Sequence, residues 1–125
     1  MDNALQRFVA SAPPQLAGKL DFTPESLDVV EAWALSKYQS PQEIRPSSET
    51  AFHDGAARYI GEVIRKHTGS KWSLDRSDPK KLNYGVPALT GGKLSIGMAP
   101  LTLVTALLDR RTGKYLSTIF RNVTA

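Results

Sequence analysis

The stretch that decides the fold reads SETAFHDGAARYIGEVIRKHTG over residues 48–69 and continues as SKWSLD over residues 70–75. Its apolar residues recur every three or four positions, a spacing that predicts one long helix with one buried stripe. A helix with a single apolar stripe must pack that stripe against other elements, so the rest of the chain is expected to be arranged around it. The predicted stripe consists of Phe52, Ala56, Tyr59, Ile60, Val63 and His67, and the predicted polar face of Asp54, Arg58, Gly61, Glu62 and Arg65.

Both ends of this helix carry recognisable signals. Ser48 can cap free backbone N–H groups, and Glu49 suits the positive end of a helix. Gly69 follows three basic residues and supplies the left-handed residue that ends a helix. Gly61 lies in the helix interior, where glycine costs about 1 kcal/mol relative to alanine. Two interpretations of Gly61 stay open here: a tolerated glycine, or close approach of a partner or loop backbone.

Length and composition bound the class of protein. A chain of 125 residues is the size of one domain, and we predict a single globular domain over residues 1–125. The absence of cysteine removes disulfides, thiolate metal sites and cysteine nucleophiles. No apolar run approaches the roughly 20 residues that span a bilayer, and the first residues do not resemble a signal peptide. We therefore expect a cytoplasmic protein that does not associate with membranes.

Charge is distributed unevenly along the chain. Residues 1–62 carry nine acidic and five basic side chains, a net charge of −4. Residues 63–125 carry three acidic and eleven basic side chains, a net charge of +8, which together give the total of +4. Such an asymmetry indicates an interaction surface for an acidic partner, or simply two halves whose charges intermix in one folded body.

The remaining sequence predicts an α+β fold. Short helices are expected before the central helix, and helices again from Pro100 to the end of the chain. Between them, alternating apolar residues and the Gly91-Gly92 turn signal predict a small three-stranded antiparallel sheet. The three predicted strands are centred on Trp72 and Leu74, on residues 84–90, and on Leu94, Ile96 and Met98.

No arrangement of residues in the sequence predicts an enzyme, a metal site or a cofactor. Metal sites need several converging ligands, and only two histidines are present, His53 and His67, both interpreted as structural. No nucleophile elbow, phosphate-binding loop or dinucleotide fingerprint occurs. Asp28 and Glu31 are one helical turn apart and are interpreted as a solvated acidic face.

A nucleic-acid interface is the alternative that the sequence leaves open. Basic side chains beside aromatic ones are typical of single-strand binding, in which phosphates are neutralised and bases stack. Here four basic residues flank Trp72 and Tyr84, but Trp72 alternates with Leu74 and is expected to face the core. The four are Lys71, Arg76, Lys80 and Lys81.

The motif Tyr59-Ile60-Gly61-Glu62-Val63-Ile64-Arg65, followed by Gly69 and Trp72 and later by Ala99-Pro100, resembles a pattern in a widespread set of small bacterial proteins. The resemblance covers roughly residues 20–120. These proteins are α+β, and some of them look like immunity-type accessory proteins of bacterial toxin systems. The resemblance implies no catalytic residue and no cofactor.

Together these observations predict a non-enzymatic protein-binding module, of an immunity or antitoxin type, that occludes a partner protein such as a toxin. The alternative is a basic accessory protein that binds nucleic acid, and the hairpin and final helices could equally form a homodimer face. A structural alternative for Glu62 and Arg65 is that they fix the helix against the sheet. The predicted partner-binding residues are Arg58, Gly61, Glu62, Arg65, Lys71, Arg76, Lys80 and Lys81.

Overall fold

The structure, a computed structural model, describes residues 3–74, 87–94 and 97–124 and is α+β, as the sequence predicts. Within these ranges helices predominate. The helices are α1 (Asn3–Ala10), α2 (Pro14–Ala17), α3 (Ser26–Lys37), α4 (Thr50–Thr68), α5 (Pro100–Arg110) and α6 (Tyr115–Thr124). Two 3-10 turns, Pro41–Ile44 and Ser47–Glu49, connect α3 to α4, and the strands are β1 (Lys71–Leu74) and β2 (Pro87–Thr90).

The 19-residue helix α4 is the centre of the fold, and it contacts α1, α3, α5 and α6. Tyr59, Ile60 and Val63 on its predicted stripe are completely buried. Ile64 is 1% exposed and Glu62 5% exposed, so burial extends around most of the helix. The expectation that Gly61 and Glu62 lie on a solvent-facing polar side is therefore wrong, because other elements pack on that side too.

The two ends of α4 were predicted with different success. Gly69 has a φ of 72° and its N–H donates to the Arg65 carbonyl at 3.0 Å, which confirms the predicted stop. The predicted serine cap is wrong: no side chain caps α4, which is preceded by the 3-10 turn, and the Ser48 hydroxyl donates to the Glu49 carboxylate at 3.2 Å. A 3-10 turn satisfies early N–H groups without a side-chain acceptor.

The sheet has two strands in the described part of the chain, which corrects the prediction of three. Strands β1 and β2 are antiparallel, with Lys71 opposite Thr90. The predicted third strand contributes one isolated bridge, between Leu89 and Met98. Pairing is limited because the turn after β2 is bonded to the end of α4, where the Lys93 N–H donates to the Thr68 carbonyl at 2.8 Å. Predicted strand residues 84–86 and 95–96 lie outside the described residues.

Glu31 on α3 joins the first half of the chain to the last helix. Its carboxylate is completely buried and accepts the backbone N–H groups of Tyr115 at 3.0 Å and of Leu116 at 2.8 Å. The prediction of a solvated acidic face is therefore wrong for Glu31, which satisfies the first N–H groups of α6. Its neighbour Asp28 lies nearer the surface and pairs with Lys114 at 2.9 Å.

Aromatic side chains fill the junction of α1, α3 and α4. Phe8 of α1 lies 5.0 Å from Trp33 and 5.4 Å from Phe52, measured between ring centroids. This close approach depends on Gly55, because a Cβ atom there would lie 2.5 Å from Cβ of Phe8. In the described part of the chain, no helix is both long enough and apolar enough to cross a membrane.

Candidate functional site

The motif behind the family resemblance forms the junction between α4 and β1. The Trp72 indole covers Gly61, where a Cβ atom would lie 2.3 Å from the ring. Glu62 accepts from the Trp72 Nε1 at 3.4 Å and from the Arg65 Nε at 2.7 Å. These contacts fit the structural alternative, in which Glu62 and Arg65 fix the helix against the sheet. Gly61 and Glu62 are buried beneath Trp72 and present no contact surface of their own.

Tyr59 extends this structural role to the segment before α3. Its hydroxyl donates to Ser26 at 2.7 Å and accepts the Phe22 N–H at 2.9 Å. Burial raises the pKa of Tyr59. The Phe22 ring stacks on the Tyr59 ring at 4.6 Å between centroids, although Phe22 has a φ of 63°, a conformation that a bulky residue rarely adopts. The motif thus organises the core around α4.

Of the eight predicted partner-binding residues, three lie at the described surface. Arg58 and Arg65 lie on one side of α4 because they are two helical turns apart, and each is paired with a carboxylate of its own helix. Lys71 is exposed on β1. Gly61 and Glu62 are buried, as described above. The remaining three residues, Arg76, Lys80 and Lys81, lie outside the described residues.

Several basic side chains of the C-terminal half are engaged within the protein. The Arg111 guanidinium donates to the carbonyls of Leu35 and Tyr38 at 3.1 and 3.0 Å. Lys114 pairs with Asp28. Lys114 thus neutralises one acidic side chain of the first half, and Arg111 stabilises the end of α3, so these two cations have roles within the fold.

A surface groove of about 620 Å³ lies between α1, the end of α3 and the beginning of α4. We call it the aromatic groove. Phe8, Trp33 and Phe52 line it, and Trp33 and Phe52 are only half-buried. The sequence does not predict this groove, because local patterns treat each helix separately and do not show which side chains meet. The one sequence feature that could have indicated the groove is that three helices each carry an aromatic residue: Phe8 on α1, Trp33 on α3 and Phe52 on α4.

Charged groups of both signs border the aromatic groove. Glu49 accepts the Tyr38 hydroxyl at 2.6 Å, and this bond, followed by those from Ser48 and by the charge of Lys37, lowers the pKa of Glu49. Asp54 pairs with Arg58 at 2.9 Å. The Lys37 ammonium lies over two rings, 5.5 Å from the centroid of Phe52 and 5.6 Å from that of Tyr38.

This arrangement is suited to binding more than to proton transfer. The Ser48 hydroxyl faces a carboxylate, but the lowered pKa of Glu49 makes that carboxylate a weak general base. The nearby His53 is turned to the carbonyl of Leu101, with its Nε2 at 2.9 Å. No group of three metal-ligating side chains occurs among the residues the structure describes.

The chain matches no protein-family model, and no curated protein or solved structure is significantly similar to it. The resemblance to small bacterial immunity-type proteins therefore stays a prediction. Its motif residues have the structural contacts given above, from Tyr59 through Glu62 to Trp72.

Proposed function

We propose that the protein is a non-enzymatic protein-binding module and that its partner docks at the aromatic groove. The observation that carries this proposal is the concave surface formed by the partly exposed rings of Trp33 and Phe52, which pack on the buried ring of Phe8. Fully packed aromatic clusters belong to cores, whereas half-exposed rings around a concavity are typical of sites that receive an anchoring side chain.

The dimensions of the aromatic groove fit this role. Ligand pockets range from about 300 to 1,000 Å³, and the groove lies within this range. The rings are already packed against one another at 5.0–5.4 Å, so little side-chain ordering is needed when a partner binds. A standard interface covers about 800 Å² on each partner, so the surface around the groove would contribute the remaining contacts.

The resemblance suggests the specific form of this proposal, an immunity or antitoxin-type role in the cytoplasm. In this role the chain would cover the working surface of a toxin and act by occupancy rather than by catalysis. Arg58, Arg65 and Lys71, which lie at the described surface, would then add charge complementarity around the aromatic groove or at a second contact.

The experiment is a pull-down of the tagged protein from its native host, with nuclease treatment and a salt series, followed by reconstitution from purified components. The decisive variant is Ala51→Arg, because Ala51 is exposed and lines the groove, so a long charged side chain blocks the groove without disturbing the core. Phe120→Ala is the matched control: it removes a half-buried ring on α6, outside the groove lining.

We expect one stoichiometric protein partner with the wild type and with Phe120→Ala, and loss of that partner with Ala51→Arg. Equal capture by Ala51→Arg would contradict docking at the groove. Recovery of nucleic acid alone, lost as the salt concentration rises, would favour the nucleic-acid alternative instead.

A further inference from the structure

We propose that the segment received by the aromatic groove is an acidic peptide, with a large aromatic side chain as anchor and one Asp or Glu beside it that pairs with Lys37. This inference rests on the proposed function and specifies the chemistry of the partner. Three features support it: the charges in the groove lining, the position of Lys37 and the arrangement of the rings.

Most charges in the groove lining already have partners within the protein. Both oxygens of Glu49 accept hydroxyl groups, and Asp54 is paired with an arginine of its own helix. Arg7 makes interactions of its own. Lys37 differs from these three, because its ammonium contacts ring faces and makes no ion pair with a described carboxylate. An incoming carboxylate therefore finds an available cation at Lys37.

The Lys37 ammonium lies over the rings of Phe52 and Tyr38. An ammonium over aromatic faces is attracted by the ring quadrupole, so the exposed side chain of Lys37 is kept beside Phe52 and Tyr38. A carboxylate that reaches Lys37 must lie next to the ring cluster. There an inserted aromatic anchor excludes water, which strengthens the pairing of the two charges.

The rings themselves favour an aromatic anchor. Trp33 and Phe52 meet at an interplanar angle of 86° with centroids 5.0 Å apart, while Phe8 is tilted by 33° relative to Trp33. A ring laid against the exposed parts of Trp33 and Phe52 can meet one of them edge-to-face and the other in an offset stack, the two arrangements that aromatic pairs prefer.

Glu49 limits the acidic character of the peptide to one residue. Its lowered pKa keeps it ionised at neutral pH, and it lies close enough to Lys37 for the two charges to interact, so a second carboxylate brought beside them would be repelled. The peptide is therefore expected to carry a single acidic residue, which pairs with Lys37.

A peptide fits the groove lining better than a compact small molecule. The lining reaches from Ser11 and Pro13, after α1, to Ser48 and Ala51, where α4 begins. A single anchored ring would cover the aromatic centre and leave both ends of the lining exposed. An extended peptide backbone can cover the ends as well.

The test measures fluorescence anisotropy of short labelled peptides with the full chain. The peptides share one phenylalanine in a Gly/Ser background and differ at the neighbouring position, which is Asp, Asn or Lys, with an Asp-Ala peptide as the anchor control. We expect Asp-Phe to bind about tenfold more tightly than Asn-Phe, as for one close charge pair, and Asp-Ala to lose measurable binding.

The matched variants are Lys37→Glu and Lys66→Glu. Lys66 is also exposed and also lies over a ring, 5.0 Å from the centroid of Phe22, but outside the groove lining. Lys37→Glu should reverse the order of the peptides so that Lys-Phe binds best, whereas Lys66→Glu should leave the order unchanged. Heteronuclear NMR of the Trp33 indole N–H should show the bound peptide at the groove.

Three results would overturn this inference. They are absence of peptide binding, equal affinity for the Asp-Phe and Asn-Phe peptides, and binding of 3-phenylpropionate as tight as that of the Asp-Phe peptide, which would indicate a small-molecule site. In each case, capture of a partner that Ala51→Arg abolishes would leave the proposed function intact, so the two failures are distinguishable.

Discussion

Glu31 on α3 accepts the backbone N–H of Leu116 at the start of α6 at 2.8 Å, a hydrogen bond between residues 85 positions apart. The second carboxylate oxygen accepts the neighbouring N–H of Tyr115 at 3.0 Å. One buried side chain thus performs for α6 the task that a capping residue usually performs for its own helix. A carboxylate at this end of a helix also interacts favourably with the helix dipole.

Glu31→Ala should destabilise the protein by roughly 2–3 kcal/mol, because it removes two charge-assisted hydrogen bonds and leaves the buried Leu116 N–H without an acceptor. Glu31→Gln should cost less, since the amide keeps one acceptor oxygen. Urea unfolding measures both. Glu25→Ala, which removes an exposed carboxylate just before α3, should change stability by less than roughly 0.5 kcal/mol. Equal stability of Glu31→Ala and Glu25→Ala would contradict the role assigned to Glu31.

The role of Glu31 could not be predicted from the sequence, whereas the central helix could. Helical periodicity and Gly69 predicted the central helix and its end, because these signals are local. The hydrogen bond from Leu116 to Glu31 is not local, and nothing in the residues around Glu31 distinguishes it from a solvated acid. The burial of Glu62 could not be predicted for the same reason, because it depends on the position of Trp72 against α4.

The aromatic groove could not be predicted for a related reason. Phe8 and Phe52 satisfy the apolar patterns of their own helices, and Trp33 flanks that of α3, so local patterns do not indicate that the three rings meet. Their meeting depends on how α1, α3 and α4 pack together, which leaves Trp33 and Phe52 partly exposed. The partner-binding residues were predicted from charge and from an assumed polar face of α4, and the structure puts two of them, Gly61 and Glu62, in the interior.

Gly61→Ala should destabilise the protein because the new methyl group would overlap the Trp72 ring, which lies 2.3 Å from its ideal position, and approach Pro100 at 3.2 Å. Overpacking costs about 1–3 kcal/mol, and the gain of about 1 kcal/mol in helix propensity offsets only part of it. Thermal or urea unfolding provides the measurement.

Gly18→Ala is the matched control for Gly61→Ala, since no atom lies within 4 Å of the position of its Cβ and its φ of −75° suits any residue. It should be neutral, or stabilising by up to about 1 kcal/mol. If Trp72 is the cause, Trp72→Leu in the Gly61→Ala background should cost less than in the wild type, and a double-mutant cycle measures this coupling. Additive costs would point to another cause.

Arg111 combines a strained backbone with two useful hydrogen bonds. It has a φ of 53° at the end of α5, while its guanidinium donates to the last carbonyls of α3, at Leu35 and Tyr38. Arg111→Ala keeps the strained backbone and loses both hydrogen bonds. It should lower the free energy of unfolding by roughly 1–2 kcal/mol, since the site is exposed. Arg111→Gly loses the bonds but relieves the strain, so it should be more stable than Arg111→Ala by about 1 kcal/mol.

Urea unfolding of the Arg111 variants tests that order, with Arg110→Ala as the neighbouring control. Arg110 is exposed, and its guanidinium lies over the Tyr115 ring at 5.6 Å, so its removal should cost no more than roughly 0.5 kcal/mol. An alanine variant as stable as the glycine variant would show that the backbone at residue 111 is not strained.

The hydroxyl of Tyr38 should control how stability depends on pH. It donates to Glu49 at 2.6 Å, and this bond is the main cause of the lowered pKa of Glu49. A carboxyl whose pKa in the folded state lies below its value in the unfolded chain contributes stability above that unfolded value, here near 4.5, and loses it as the pH falls through the folded value. The contribution is therefore present at neutral pH and absent in strong acid.

Tyr38→Phe removes this donor and should raise the pKa of Glu49 toward its ordinary value, which carboxyl NMR titration measures directly. Urea unfolding should show a difference between wild type and variant that is largest at neutral pH and becomes smaller below the ordinary pKa of Glu49, because the protonated carboxyl gains little from the bond. Tyr115→Phe removes a hydroxyl without a hydrogen-bond partner in the described part of the chain and should leave both measurements unchanged. If the pKa of Glu49 in Tyr38→Phe equals that in the wild type, then Ser48 and Lys37 account for the whole effect.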